Sequence, residues 1–301
     1  MFKHLLVPLD GSKMAEAALP AAAFLAEKLA SRVTLMHVVE RNAPSEVHGQ
    51  PHLKNAREAY AYLGDLSRQA FAKGIAVDFH VHKTEVNNVA KSIVAHADEL
   101  KHDLIIMCSH GRGKSLHLFL GSIAQRVIGM GSLPVLITHP DEQGGAPPFN
   151  CRNILVPLDC DPDHAKALPV AKEIALACEA ALHLAIVVPR FSSLSGEAKV
   201  SGRMLPATAS RILELEYKDA QEFINSETEN LRSQGIAVSG HVLRGDPAEM
   251  VANAANASNV DLTVVATHGK TGMKAFWEGS VAHRICSFSR VPLLLIPLAK
   301  A

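Results

Sequence analysis

Asp10 and Asp159 each close an identical Leu-Val-Pro-Leu-Asp run, and His110-Gly111 and His268-Gly269 are each followed, after nine intervening residues, by Gly121-Ser122 and Gly279-Ser280. Glycine lets a backbone approach an anion closely, and a helix beginning at Gly-Ser would offer free N–H groups and the positive end of its dipole to a phosphate. Ser122 and Ser280 would be the N-caps of those helices, a structural role in itself, and their hydroxyls could also reach a phosphate oxygen. The plainer alternative is a glycine turn followed by a capped helix. Arg112 and Lys270 put one cation beside the glycine in each place, either to contact phosphate or as solvated loop charges. Gly-Lys-Ser and Gly-Lys-Thr also occur, but a P-loop needs a glycine five positions earlier, where Cys108 and Val264 stand. His110 and His268 are the candidate bases. With no second positioned acid/base set, the pattern favours binding over turnover.

His80 and His82 sit at strand spacing and could share one face, as a metal pair would. No third ligand stands near them in the sequence, so surface or core histidine is the favoured reading and no metal site is assigned. Five cysteines, an odd number without a Cys-x-x-Cys pair, argue against a disulfide framework or zinc ribbon and read as reduced apolar fillers.

These residues recur because the chain repeats itself. The run ending in Asp10 returns 149 residues on, Gly74-Ile75-Ala76-Val77 returns 161 on at Gly235, and the His-Gly and Gly-Ser pairs return 158 on, with Pro134 matching Pro292. The drift places about twelve extra residues in the second copy, around 192–206, which read as a flexible loop, and three extra in the first before its histidine. A Pro/Gly-rich stretch over 141–150 reads as a linker, giving domains at 1–140 and 151–301.

What must position the repeated residues is a βαβ pattern. Apolar runs at 4–9, 32–39, 75–82, 103–109 and 133–138 read as strands buried on both faces, with helical spacing between them. Met14, Ala18, Ala21, Leu25 and Leu29 mark one helix face, and Pro20 within it, like Pro169 in copy two, predicts a kink or a late start. The fold class is α/β: two tandem, doubly wound, five-stranded parallel-sheet domains, Rossmann-like, whose ligands bind beyond the strands' carboxyl ends. Each domain is expected to own its sheet. A single continuous sheet would defeat that organisation.

With 301 residues, 48% apolar and 20% charged, the composition is that of a soluble two-domain chain. Thirty basic against thirty acidic residues leave no net charge, against nucleic-acid or anionic-membrane binding. The first residues lead into a strand without a signal-peptide core, which points to the cytosol.

Together, Val-Pro-Leu-Asp, Ser/Thr-His-Gly, the nine-residue gap to Gly-Ser and the closing Pro-Val-Leu or Pro-Leu-Leu strand resemble the universal stress protein family, here in tandem over essentially the whole chain. The family's ATP-binding branch carries Gly-x-x-Gly, nine residues, then Gly-Ser/Thr; this chain has Cys108 and Ala266 in place of the first glycine. By that resemblance Asp10 and Asp159 would recognise adenine, the backbone of Val38 and Val187 would hold its edge, and Gly111, Gly121, Ser122, Gly269, Gly279 and Ser280 would hold phosphates. The implied nucleotide site in the first half comprises Pro8, Asp10, Val38, Cys108, His110, Gly111, Arg112, Gly121, Ser122 and Ile123. In the second it comprises Pro157, Asp159, Val187, Ala266, His268, Gly269, Lys270, Gly279, Ser280 and Val281. Copy one keeps Asp-Gly-Ser where copy two has Asp159-Cys160-Asp161, and copy two has Gly245-Asp246-Pro247 where copy one is read as Thr84-Glu85-Val86.

The function so implied is a cytosolic stress-response protein binding ATP or AMP, with or without Mg, as sensor or interaction module. Its two domains would pair with each other about a pseudo-two-fold axis, with the last strands near their interface. A homodimer is left open. The alternatives are a weak ATP-hydrolysing or phosphotransfer enzyme using Asp10 or Asp159, and a nucleotide-free dimerisation scaffold.

Overall fold

A computed structural model describes residues 1–41, 46–47, 50–53, 55–109, 120–160, 166–194, 200, 204–267 and 281–297. Strands β1 (His4–Pro8), β2 (Arg32–Glu40), β5 (Val77–Val86), β6 (Leu104–Cys108) and β7 (Val135–Thr138) belong to the first half, along with a short hairpin of β3 (Glu46–Val47) and β4 (Gln50–Pro51). The second half supplies β8 (Asn153–Leu158), β9 (Ala181–Val188), β10 (Val238–Arg244), β11 (Leu262–Thr267) and β12 (Leu293–Pro297). Apart from the antiparallel β3–β4 hairpin, the pairings within each half are parallel, in the mirrored orders β7-β6-β1-β2-β5 and β12-β11-β8-β9-β10.

The two halves do not own separate sheets. β7 and β12 pair antiparallel, joining all ten strands into one sheet, which corrects the expectation of a sheet per domain. The reason lies in the edges: the last strand of each half would otherwise present a row of unpaired N–H and C=O groups. The last strands do meet at the interface, as expected.

Both faces of this sheet are covered. On one lie α1 (Lys13–Glu16), α2 (Leu19–Leu29), α3 (Ala56–Gln69), α6 (Ala167–Cys178) and α7 (Pro206–Ser233); on the other lie α4 (Val89–Glu99), α5 (Ser122–Met130), α8 (Pro247–Ala257) and α9 (Val281–Phe288). Each face carries one apolar core running through both halves, which is why the strands read as continuous apolar runs rather than alternating ones. Phe149, in the linker, packs edge-on against Phe24 of α2 at 5.4 Å.

The helix expected from Lys13 is broken before Leu19, and Pro20 falls in the first turn of α2, where its missing N–H costs no bond. Pro169 likewise falls in the first turn of α6. The duplication extends to details of the backbone. Asp103 accepts from the N–H groups of Lys3 and His4, and Asp261 accepts from those of Arg152 and Asn153. Ala30 and Glu179, each ending its helix, share a left-handed conformation at φ 51° and 54°.

Of the extra stretch of the second half, residues 195–199 and 201–203 lie outside the described residues; a 3₁₀ turn at Phe191–Ser193 opens it, and helix α7, which begins at its end, has 28 residues, twice the 14 of α3. The three extra residues of the first half lie in β5, which has ten residues against seven in β10 and a register shift against β2 between Val38 and Glu40. This also corrects the match of Gly245-Asp246-Pro247. Asp246 caps α8 and Asn88 caps α4 in the same way, so the counterpart is Asn87-Asn88-Val89, not the end of β5. None of the five cysteines is in a disulfide; Cys108, Cys151 and Cys286 are buried, Cys178 is partly buried, and Cys160 is exposed, so it is no filler.

Candidate functional site

In the first half, β1 is flanked by β2 and β6, and the strand order reverses there, which opens a crevice at their carboxyl ends. Pro8, Asp10, Val38, Cys108 and Ile123, all expected from the sequence, line one cleft there, together with Met36, His37, Glu40, His52, Ile93 and Met107. Its walls are apolar and its polar groups few, the composition of a small-molecule site.

Asp10 is held by its own turn. Its Oδ1 accepts from the Ser12 N–H at 2.9 Å and from the Ser12 hydroxyl at 2.7 Å, while Ser12 Oγ in turn caps α1 by accepting from Ala15 N–H at 3.2 Å. Gly11 between them has φ +94°, and a Cβ there would stand 2.8 Å from Leu53 Cγ, so glycine is required twice over. Leu9 N–H donates to Met36 O at 2.8 Å, which carries the β1–β2 pairing right up to Asp10.

Cys108, the last residue of β6, is buried and donates its S–H to Ser109 O at 3.2 Å. Burial first, and the nearby Asp10 charge second, push its pKa up to about 12, so it is a protonated apolar wall rather than a nucleophile. His37 and His52 are residues that sequence reasoning missed. His37 is buried, donates Nδ1–H to Leu9 O at 2.8 Å, and is held below the ordinary imidazole pKa mainly by burial. Its Nε2 is a buried lone pair with no partner among the described residues. The one available signal was its place beside Val38 near the carboxyl end of β2.

At the start of α5 the assignment of caps is corrected. Gly121, with φ −60° and ψ 150°, is the N-cap, and Ser122 is the first helical residue. Glycine is acceptable there because it places no Cβ against the approach to the helix end. His110, Gly111 and Arg112 lie outside the described residues.

In the second half, Pro157, Asp159, Val187 and Ala266 stand at the ends of β8, β9 and β11, and Val281 opens α9. Asp159 is exposed, and Ile186 occupies the position of His37. His268, Gly269, Lys270, Gly279 and Ser280 lie outside the described residues, as does the N-cap expected at Ser280.

The sequence profile described as "Universal stress protein family" matches residues 1–139 and again 150–297. The chain belongs to the universal stress protein family. It is 35% identical over 140 residues to universal stress protein Sll1654 of Synechocystis, covering 46% of this chain and 85% of that one. A universal stress protein of Mycolicibacterium smegmatis is 24% identical over 311 residues, covering 97% of this chain and 96% of its own. Among solved structures, a universal stress protein from Archaeoglobus fulgidus superposes with a TM-score of 0.67 over 99% of this chain and 97% of that one; at 17% identity the likeness is one of fold. For this universal stress protein, then, tandem Usp-type halves in a mostly parallel sheet are shown, and among the described residues no helix is long and apolar enough to cross a membrane.

Proposed function

We propose that this universal stress protein binds an adenine nucleotide, ATP or AMP, at the carboxyl rim of its parallel strands and acts as a sensor or interaction module. The observation that carries the reading is the meeting of Asp10, Val38, Cys108 and Ile123 in one apolar cleft at the reversal of strand order. A flat purine would lie between Met36, Val38, Ile93 and Met107, and the Asp10 carboxylate, anchored by Ser12, would accept from an exocyclic amino group. The phosphates would then run toward the N-terminus of α5 at Gly121, where the first-turn N–H groups have no partner within the helix. A thiol held protonated at Cys108 supports a binding wall over covalent chemistry. The second half would bind with Ala266 and Ile186 in place of Cys108 and His37.

Titration calorimetry with ATP, AMP and GTP on the wild type, Asp10→Asn and Gly121→Asp tests this. Adenine nucleotides should bind more tightly than GTP, Asp10→Asn should narrow that preference, and Gly121→Asp should abolish the first-half site by placing a charge where phosphate approaches. Equal affinity for all three nucleotides, or binding unaffected by either variant, overturns the proposal.

A further inference from the structure

His80 and His82 point to the same face of edge strand β5, as period-two spacing requires, and α4 packs on that face and brings a third imidazole, His96, against them. One ring nitrogen from each of the three lies within 4.8 Å of the others. His82 Nδ1 and His96 Nε2 are already 3.2 Å apart, and the His80 and His96 ring centroids are 4.8 Å apart. Three nitrogens bound to a tetrahedral ion at 2.0–2.1 Å stand about 3.3 Å from one another, so from within 4.8 Å the three rings need to close by no more than about 1.5 Å.

We propose that His80, His82 and His96 form a binding site for a zinc-class divalent cation, leaving its fourth position to water. The outer contacts fit. His96 Nδ1–H donates to Ser92 O at 3.0 Å, which fixes the tautomer and leaves Nε2 as the lone-pair donor. His80 Nε2 is buried and has no hydrogen-bond partner among the described residues, a cost that a bound cation would remove. Glu99, one helical turn beyond His96, acts electrostatically on both His80 and His82 and would offset the ion's charge.

The second half serves as an internal comparison. In the parallel register His80 pairs with Met36 and His82 with Val38, while His241 pairs with Ala185 and Leu243 with Val187. Positions 80, 82 and 96 thus correspond to His241, Leu243 and Ala254. The same sheet edge and helix pack with Leu243 and Ala254 there, so three clustered imidazoles are no requirement of the fold.

Chelator-treated full-length protein titrated with ZnCl2, and separately with CoCl2, tests the assignment. We expect one zinc per chain at this site, visible d–d bands from low-symmetry Co²⁺, and at least about a tenfold loss of affinity in His80→Gln and His96→Gln. His241→Gln should leave binding unchanged. Zinc affinity and stoichiometry that are the same in the triple His→Gln variant as in the wild type overturn the proposal, as does wild-type protein whose Co²⁺ spectrum stays that of the hexaaqua ion. The second readout needs no variant to fold.

Discussion

Leu136 lies opposite Leu294 across the β7–β12 junction, and each is the other's counterpart in the duplication, 158 residues apart. The neighbouring pairs, Leu293 with Ile137 and Leu295 with Val135, exchange places about that central pair, so a local two-fold axis passes between the two leucines. Both are buried, at 0% and 1% exposure.

Truncating either leucine should therefore cost about the same. Leu136→Ala and Leu294→Ala are each expected to lose about 2–5 kcal/mol of unfolding free energy, the range for fully buried leucines. Urea denaturation checks this. Because both cores run through both halves, each variant should shift a single transition, and two separate transitions would contradict the shared core.

Gly11→Ala should destabilise the protein by about 1–3 kcal/mol, since φ +94° is costly for any side chain and the new Cβ meets Leu53. Nucleotide binding in the first half should weaken with it, because the Asp10–Ser12 turn cannot keep its geometry. Thermal melts and calorimetry on the same preparation read both effects.

Stability should fall on mild acidification. His139 is buried against Ser109 Oγ at 2.6 Å, and burial, with Arg290 adding to it, pushes its pKa down to about 4. An unfolded imidazole takes up its proton below about 6.5 while the folded one stays neutral until about 4, so unfolding is favoured progressively as pH drops through that window. The loss from this group is on the order of 3 kcal/mol by pH 4. Urea midpoints at pH 7, 6, 5 and 4 follow it, and a His139→Phe variant should show a shallower slope over that range.

Ala30→Gly and Glu179→Gly should each stabilise by about 0.5–1 kcal/mol. Both residues end a helix in the left-handed region, where glycine avoids the steric cost of a Cβ but gives back part of the gain through unfolded-state entropy. A drop in melting temperature for either variant would contradict this.

Much of this was written in local patterns. Runs such as Leu5-Leu6-Val7 and Leu104-Ile105-Ile106 are apolar on consecutive residues, and only strands covered on both sides make that pattern. The paired offsets disclosed the duplication, and Pro20 correctly marked the start of α2. What stayed hidden depended on partners distant in sequence. The apolar run at 133–138 looks the same whether its outer edge meets solvent or β12. Ser122 has the stronger capping preference, yet the chain turns one residue earlier, at Gly121. His96 lies fourteen residues from His82 on a different element, so spacing could not join them. Beyond its place next to Val38, His37 gave no sign of its role until β1 and β2 were in register.

The antiparallel junction also bears on what covalent fusion does for this chain. The strand contact at the junction, three residue pairs, would by itself be small by the standard of independent subunits; the cores shared by both halves add to it, and a short linker holds the second partner at an effective concentration in the millimolar range. Weak self-recognition is then enough to keep the sheet closed. Once both partners are on one polypeptide, symmetry no longer binds their sequences, and one can hold His37, His82 and His96 where the other holds Ile186, Leu243 and Ala254.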